Sequence, residues 1–405
     1  MKTAGRLAAI GALFFLGAGL CRAQLVMGQY EDEAPFRTWN SVGLTGAAAL
    51  GLAGTQFTLA MDATSGAANP ALLARLPRLS LAVNGSYASA EFYRYALVNT
   101  GVVYSQANLP LGLYALESAA VSGRLGPWAF GVAYGLQEAY DRPPVDISDS
   151  GYQLQFSQSG VLRVLNLSAA RSFGDRVSIG VGFNLLSGDL TRSTVDYWAY
   201  GQETITSDIT QSWSGFFVNG GIIFGLTDSV HLALVARAPY TKKADSRSVL
   251  SYHATGATDI TIEGSGEDEY RIPLMAGLGL GYEINSDWRV AFDLSYFNWS
   301  KYRAIYFGEP QDRDFRDVLT ASLGAEYSIP IVLFGQGSRA SIRAGLALDP
   351  QPMKEPKSSY FLYSLGAGLR WKFVFLDFGF QAGQENGSGR DLAVKRLILT
   401  LGATV

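Results

Sequence analysis

The chain is poor in the residues that metal and redox chemistry need. Among 405 residues there is one cysteine, Cys21, and there are two histidines, His231 and His253. Cys21 lies in an N-terminal stretch that reads as a leader, so the mature chain can make no disulfide. The two histidines stand alone in sequence, and no His- or Cys-rich run offers a transition-metal site. Charge is scarce too: 17% of residues are Asp, Glu, Lys or Arg, against about 25% in soluble domains. No basic stretch suggests a nucleic-acid partner. After residue 23 no run of 18 apolar residues occurs, which excludes a membrane-spanning helix from the mature protein.

What is abundant is glycine and aromatic side chain: 46 Gly, 22 Phe, 21 Tyr and 7 Trp. That mixture suits strands and fits a long helical bundle poorly. The first residues carry a positive n-region (Lys2, Arg6), an apolar run over 7–20 and the small-residue site "CRAQ". Together these predict a secretory signal over 1–23, cleaved after Ala23. The leader holds three basic residues (Lys2, Arg6 and Arg22) and no acid. The mature chain therefore carries 29 basic against 35 acidic residues, a net of −6.

From Leu79 onward the chain alternates with period two, the spacing of strands. In "DRVSIGVGFNLL" Val177, Ile179, Val181, Phe183 and Leu185 share one face, and Ser178, Gly180, Gly182 and Asn184 the other. The segments around 288–296, 374–382 and 396–405 repeat the arrangement. A soluble sandwich also alternates, but here the bulky face is continuous while the other is Gly, Ser, Asn and isolated charges. In a membrane barrel the first meets lipid and the second lines the lumen. Connections also alternate in length. Tight turns fall near Gly126-Pro127, Gly174-Asp175, Thr227-Asp228, Asn285-Ser286 and Lys372. Long polar ones fall at about 141–158, 189–208, 241–267, 300–316 and 349–358. Short periplasmic turns and long outer loops are the outer-membrane pattern. The reading is all-β: a transmembrane outer-membrane β-barrel of about 14 antiparallel strands over 78–405. Strand starts are expected near 79, 113, 128, 160, 176, 212, 229, 271, 287, 317, 339, 359, 373 and 391. One connection, "PIVLFGQGS" at 330–338, is long for a periplasmic turn. Aromatic girdles are expected from Trp128, Trp288 and Trp371 beside short turns. Tyr197, Trp198, Tyr200, Trp213, Tyr296, Trp299 and Tyr302 would form the outer one.

Residues 24–77 break the rhythm. They begin polar and turn Ala/Gly-rich, ending in "NPALLARLP", where Asn69 can cap a short helix, Pro70 suits its first turn and Pro77 stops it. A barrel of this size leaves an interior too wide for its own side chains. A compact segment before it is therefore expected in the lumen as a hatch, or alternatively as a periplasmic extension. The stretch "GLAGTQFTLAMDATSGAANPALLARL" resembles the N-terminal signature of the long-chain fatty acid transporter (FadL-like) family. The matching residues are Asp62-Ala63-Thr64 and Asn69-Pro70-Ala71-Leu72-Leu73. The resemblance implies a monomeric barrel in the bacterial outer membrane, blocked by an N-terminal hatch with Asp62, Asn69, Pro70 and Ala71 in its motif. It also implies capture of hydrophobic molecules outside and lateral release into the membrane. Departing from that pattern, the chain ends in Val405 rather than an aromatic.

No nucleophile, base and orienting group cluster in sequence, so no enzyme and no cofactor are expected. Carboxylates at 263–270 and 309–317 could hold calcium; a solvated outer loop is the simpler reading. Lumen-facing charges are expected at Arg237, Arg289, Asp293, Glu326, Arg343, Arg370, Asp377 and Arg396. A fatty-acid carboxylate needs a cation beside apolar surface. Arg343 and Arg370 are the candidates for that role, because their strands carry apolar neighbours; an Arg-acid ladder bracing the wall is the alternative for either. The expected function is transport of hydrophobic compounds, most of all long-chain fatty acids, through a plugged barrel. The alternative is a non-transporting barrel component of a secretion or surface-attachment system.

Overall fold

The computed structural model describes residues 36–37, 43–59, 61–97, 103–149, 151–199 and 202–405. The leader and its cleavage site lie outside these residues. Fourteen strands, each antiparallel to the next, form one closed wall. They are β1 (Leu79–Leu97), β2 (Val103–Leu125), β3 (Trp128–Ala139, continued by Arg142–Asp149), β4 (Tyr152–Phe173), β5 (Val177–Trp198) and β6 (Glu203–Gly225). Then come β7 (Val230–Arg237, continued by Tyr240–Ala254), β8 (Ile260–Ile272, continued by Met275–Glu283) and β9 (Trp288–Phe297). The last are β10 (Val318–Leu333), β11 (Gln336–Pro350), β12 (Ser359–Trp371), β13 (Val374–Asn386) and β14 (Ala393–Thr404). β14 pairs with β1, Leu81 opposite Ala403, and so leaves the sheet no end strand.

The alternating residues face as their chemistry requires. Ile179, Val181, Phe183 and Leu185 of β5 point out and are exposed, while Ser178 and Asn184 are buried. On β9, Trp288, Phe292 and Tyr296 point out and Ala291, Asp293 and Ser295 in. Bulky apolar groups are stable outside only because lipid, not water, surrounds them.

Two expectations about the connections change. The polar stretches at 141–158, 189–208 and 241–267 are mostly strand. β5 and β6 stay paired to Trp198↔Glu203, and β7 and β8 to Tyr252↔Ile260. β2, β4, β6 and β8 thus start 8 to 11 residues earlier than expected at 103, 152, 203 and 260. Hairpins leaving the bilayer keep their ladders but lose the need for an apolar outer face, so the sequence signal fades before the strand does. Likewise 330–338 is no loop. β10 and β11 pair to Leu333↔Gln336 across a two-residue turn, Phe334 and Gly335, both at positive φ (50° and 73°). That geometry matches the twist of the strands it joins.

One place in the wall is incompletely laced. β2 and β3 pair only from Ser118↔Gly135 to Leu125↔Trp128. Above that, β2 continues with β1 and β3 with β4, with β3 irregular between Leu136 and Glu138. The edge of β3 left free there is met by a two-residue strand from the N-terminal segment, Phe36 opposite Ala139 and Arg37 opposite Glu138.

Candidate functional site

The lumen is filled across its lower part by residues 43–77. Helices α1 (Ala47–Gly51) and α2 (Ser65–Ala68) and a 3-10 turn (Pro70–Arg75) make up this hatch, and nearly all of it is buried. Asn69 works as the sequence suggests and does more. Its Oδ1 accepts from the Ala71 N–H at 3.1 Å, starting the turn at Pro70, and its Nδ2 donates to the Phe57 carbonyl at 2.7 Å. Asp62 Oδ1 accepts from the Thr64 N–H (2.8 Å) and hydroxyl (2.5 Å). The motif residues thus fold the hatch on itself, while wall residues hold it. Asp293 Oδ2 accepts from the N–H groups of Gln56 and Phe57 at 2.6 and 3.0 Å. Asn219 donates to the Ala67 carbonyl (3.0 Å), and Thr400 accepts from the Ala47 N–H (2.9 Å).

The glycines on the inner wall explain how backbone meets backbone. A Cβ at Gly221 would overlap the Asn69 amide, and one at Gly180 would lie 2.5 Å from the Pro70-Ala71 peptide. The composition read from the sequence is therefore a socket cut to the shape of the hatch.

The predicted lumen charges do face inward, but they are not equivalent. Arg343 lies between Glu326 (2.6 Å) and Asp377 (2.7 Å), all three side chains 2% exposed. Arg289 joins the same Glu326. Arg396 pairs with Glu117 at 2.5 Å. These are braces: each buried charge is balanced by its neighbour. Arg370 lies lower, donating to the Met61 carbonyl of the hatch (3.2 Å) with its guanidinium 4.7 Å from the centre of the Phe375 ring. Arg237 differs from all of these. It is buried, its guanidinium lies 5.8 Å from the Phe217 ring centre and 5.6 Å from that of Tyr240, and its Nε has no partner. Among the described residues it makes no ion pair. It stands two residues up the strand from Val235, which with Phe57 of the hatch fills the space beside Gly277.

Above the hatch the lumen is apolar. Tyr140, Trp213, Phe217, Tyr270, Met275 and Phe297 are buried and packed together. Tyr140 stacks on Trp213 with ring centres 5.1 Å apart and planes at 8°. Lys242 is enclosed there by Tyr140, Trp213 and Tyr270, but Glu138 neutralises it at 2.7 Å. This corrects the girdle expected on the outer rim. Trp213, Trp299 and Tyr302 are buried inside, whereas Trp128 and Trp288 are exposed on the lower rim. Tyr200 lies outside the described residues. Distance from a loop had placed these rings at the interface; strand parity turns Trp213 inward with Gln211 and Phe217.

The acidic stretches are occupied otherwise. Asp268 is buried and accepts from Gln211, Ser246 and the Phe307 N–H at 2.7, 2.5 and 2.6 Å. Among the described residues no group of three His, Cys, Asp or Glu is placed to hold a metal.

A plugged barrel with an apolar upper lumen is the architecture of a transport channel. The family model described as outer membrane protein transport protein (OMPP1/FadL/TodX) matches residues 38–389. The chain belongs to that family. It is accordingly a transporter of hydrophobic compounds in the bacterial outer membrane, and not an enzyme. Solved structures share the fold at low identity. A Pseudomonas aeruginosa FadL homologue matches with TM-score 0.64 and 15% identity over 89% of this chain and 99% of its own. The monoaromatic hydrocarbon channel CymD gives 0.63 and 16%, over 91% and 99%. The Pseudomonas putida toluene transporter TodX gives 0.61 and 14%, over 89% and 97%. No curated protein matches the chain in sequence.

Proposed function

We propose that the transported compounds are long-chain fatty acids and that Arg237 receives the carboxylate. The observation that carries this is the isolation of Arg237. A buried guanidinium is costly unless paired, and this one has aromatic rings around it and no acid. A ligand that brings its own carboxylate supplies a bidentate partner, while its chain lies along Tyr240, Phe217 and Met275. Arg343, already held by two carboxylates, serves as a brace in this reading. Arg370 belongs to the hatch contact.

The unlaced seam between β2 and β3 supports lateral release. It is a stretch of wall where strand pairing stops below the upper rim, and the Phe36–Arg37 strand sits on its edge. A second reading, neutral aromatic hydrocarbons, is favoured by the ring-lined upper lumen and by the similarity in fold to the monoaromatic hydrocarbon channel CymD and the toluene transporter TodX.

The two are separated by uptake in a Gram-negative host lacking its own fatty-acid transporter, with surface expression confirmed. Labelled oleate should be taken up by the intact chain. Arg237→Gln should reduce oleate binding about tenfold or more, as for loss of a charge-assisted hydrogen bond, and leave labelled toluene unaffected. Toluene uptake with no oleate uptake would move the assignment to the second reading.

A further inference from the structure

The lower rim carries a feature that transport into the lateral membrane does not use. From Ile329 to Gly337 the β10–β11 hairpin projects as a two-stranded ribbon. β10 is last tied to its neighbour by the Ser328 N–H to the Asp287 carbonyl, and β11 meets β12 only from Ser338↔Trp371. Its tip is apolar where water is expected: Val332 is 77% exposed and Phe334 84%. Parity along β10 puts Pro330 and Val332 on the side continuous with the lumen, as Glu326 and Ser328 are, while Phe334, in the turn, meets the Trp371 ring edge-on with centres 6.0 Å apart. Under this face lies an open groove of about 590 Å³, lined by Pro330, Val332, Arg339, Arg370 and Lys372.

The charges there are mostly positive. Arg339 is engaged by Asp287 (3.2 Å) and the Ser286 carbonyl (2.6 Å), and Arg370 by the hatch carbonyl of Met61. Lys372, in the turn between β12 and β13, makes no ion pair among the described residues; its ammonium rests 5.1 Å from the Trp371 ring centre. One carboxylate against three cations, beside exposed aliphatic and aromatic surface, is complementary to one kind of molecule: an anionic head on an apolar chain.

We propose that this groove is a periplasmic-side binding site for a fatty carboxylate that has passed the hatch, with Lys372 on the head group and Pro330 and Val332 along the chain. The inference rests on the transport reading above and adds a second exit, below the hatch, to the lateral one. Arg370 links the two levels, since it contacts both the hatch backbone and the groove.

The test is photolabelling of the full mature protein in neutral detergent with a diazirine-bearing palmitate, read out by peptide mass spectrometry. Label is expected on the 329–338 peptide. It should fall about tenfold in Lys372→Gln and with the methyl ester of the probe, the effect of losing a charged hydrogen bond. Val332→Ser should lower it with folding unchanged, since this side chain is exposed. Label near Phe217 and Tyr240 reports the upper site separately, so its presence without label at 329–338 overturns this inference alone. Equal labelling by acid and ester overturns it as well. Competition by phosphatidylglycerol as strong as by free palmitate would give the groove to a leaflet lipid. An unlabelled groove with oleate uptake lost in Val332→Ser would give it to a protein partner. Either result defeats the proposal.

Discussion

The lower and upper halves of the lumen are built from the same fourteen strands and obey opposite rules. Below, the large charged groups named here are spent on other parts of the protein. Arg343 has two carboxylates, Asp293 has two hatch N–H groups, and glycine removes side chains wherever the hatch backbone approaches. Above, rings line the space, and Arg237 has no acid partner among the described residues. The difference teaches what each half is for. Saturated polar contacts fix one arrangement, because leaving any partner unpaired in a buried site is expensive. An unsaturated cation among adaptable apolar surfaces leaves binding energy available to a visitor.

The largest way to break the comparison is to unsaturate the lower half. Arg343→Ala leaves Glu326 and Asp377 buried with their main partner gone, and removal of one member of a buried ionic cluster costs about 3–5 kcal/mol. Urea unfolding in lipid vesicles should show a loss of that size. A change below about 1 kcal/mol would mean that water already reaches the network. Arg237→Gln, the corresponding change above, should cost the empty protein almost nothing and could stabilise it, since it removes an unpaired charge.

A smaller effect comes from the socket. Gly221→Val places a branched side chain where the Asn69 amide sits. Overpacking of this kind costs about 1–3 kcal/mol, and the hatch can escape it by leaving its seat. Planar-bilayer recordings should then show steady ion conductance that the intact chain lacks. An unchanged, closed barrel would show that the wall yields rather than the hatch.

How much of this the sequence disclosed follows from which forces act within a few residues. Alternation is local, so the inward set at 237, 289, 293, 326, 343, 370, 377 and 396 was readable from parity. The Asn69-Pro70 start was readable too, because cap and capped N–H are two residues apart. Pairing across the barrel is not local. That Arg343 would find Glu326 and Asp377, and Arg237 no acid among the described residues, depends on which strands are neighbours and on their register. The sequence evidence therefore pointed to Arg343 and Arg370 and passed over Arg237. The outer hairpins were lost for another reason: past the bilayer their outward faces turn polar, and period-two alternation disappears although the ladder continues. Trp213 was assigned by its distance from a loop, where its parity with Phe217 was the better guide.

The finest prediction sharpens the account of Arg237 itself. Arg237→Lys keeps the charge and loses the fork. If Arg237 acts only as a positive charge, lysine should bind oleate as well as arginine does. The geometry argues otherwise. The guanidinium lies beside the stacked Phe217–Tyr240 pair, 5.8 and 5.6 Å from ring centres that are 4.7 Å apart, and a planar group braced on one side in this way can present two parallel N–H donors to a carboxylate. An ammonium on a flexible stem presents one point charge and loses more freedom on binding. The lysine variant should therefore bind oleate weaker than wild type by about 1 kcal/mol, near fivefold, yet tighter than the Gln variant. Titration of a fluorescent fatty acid against all three proteins ranks them. Wild type equal to lysine would reduce Arg237 to a local potential, while lysine equal to glutamine would make the fork the whole of the recognition.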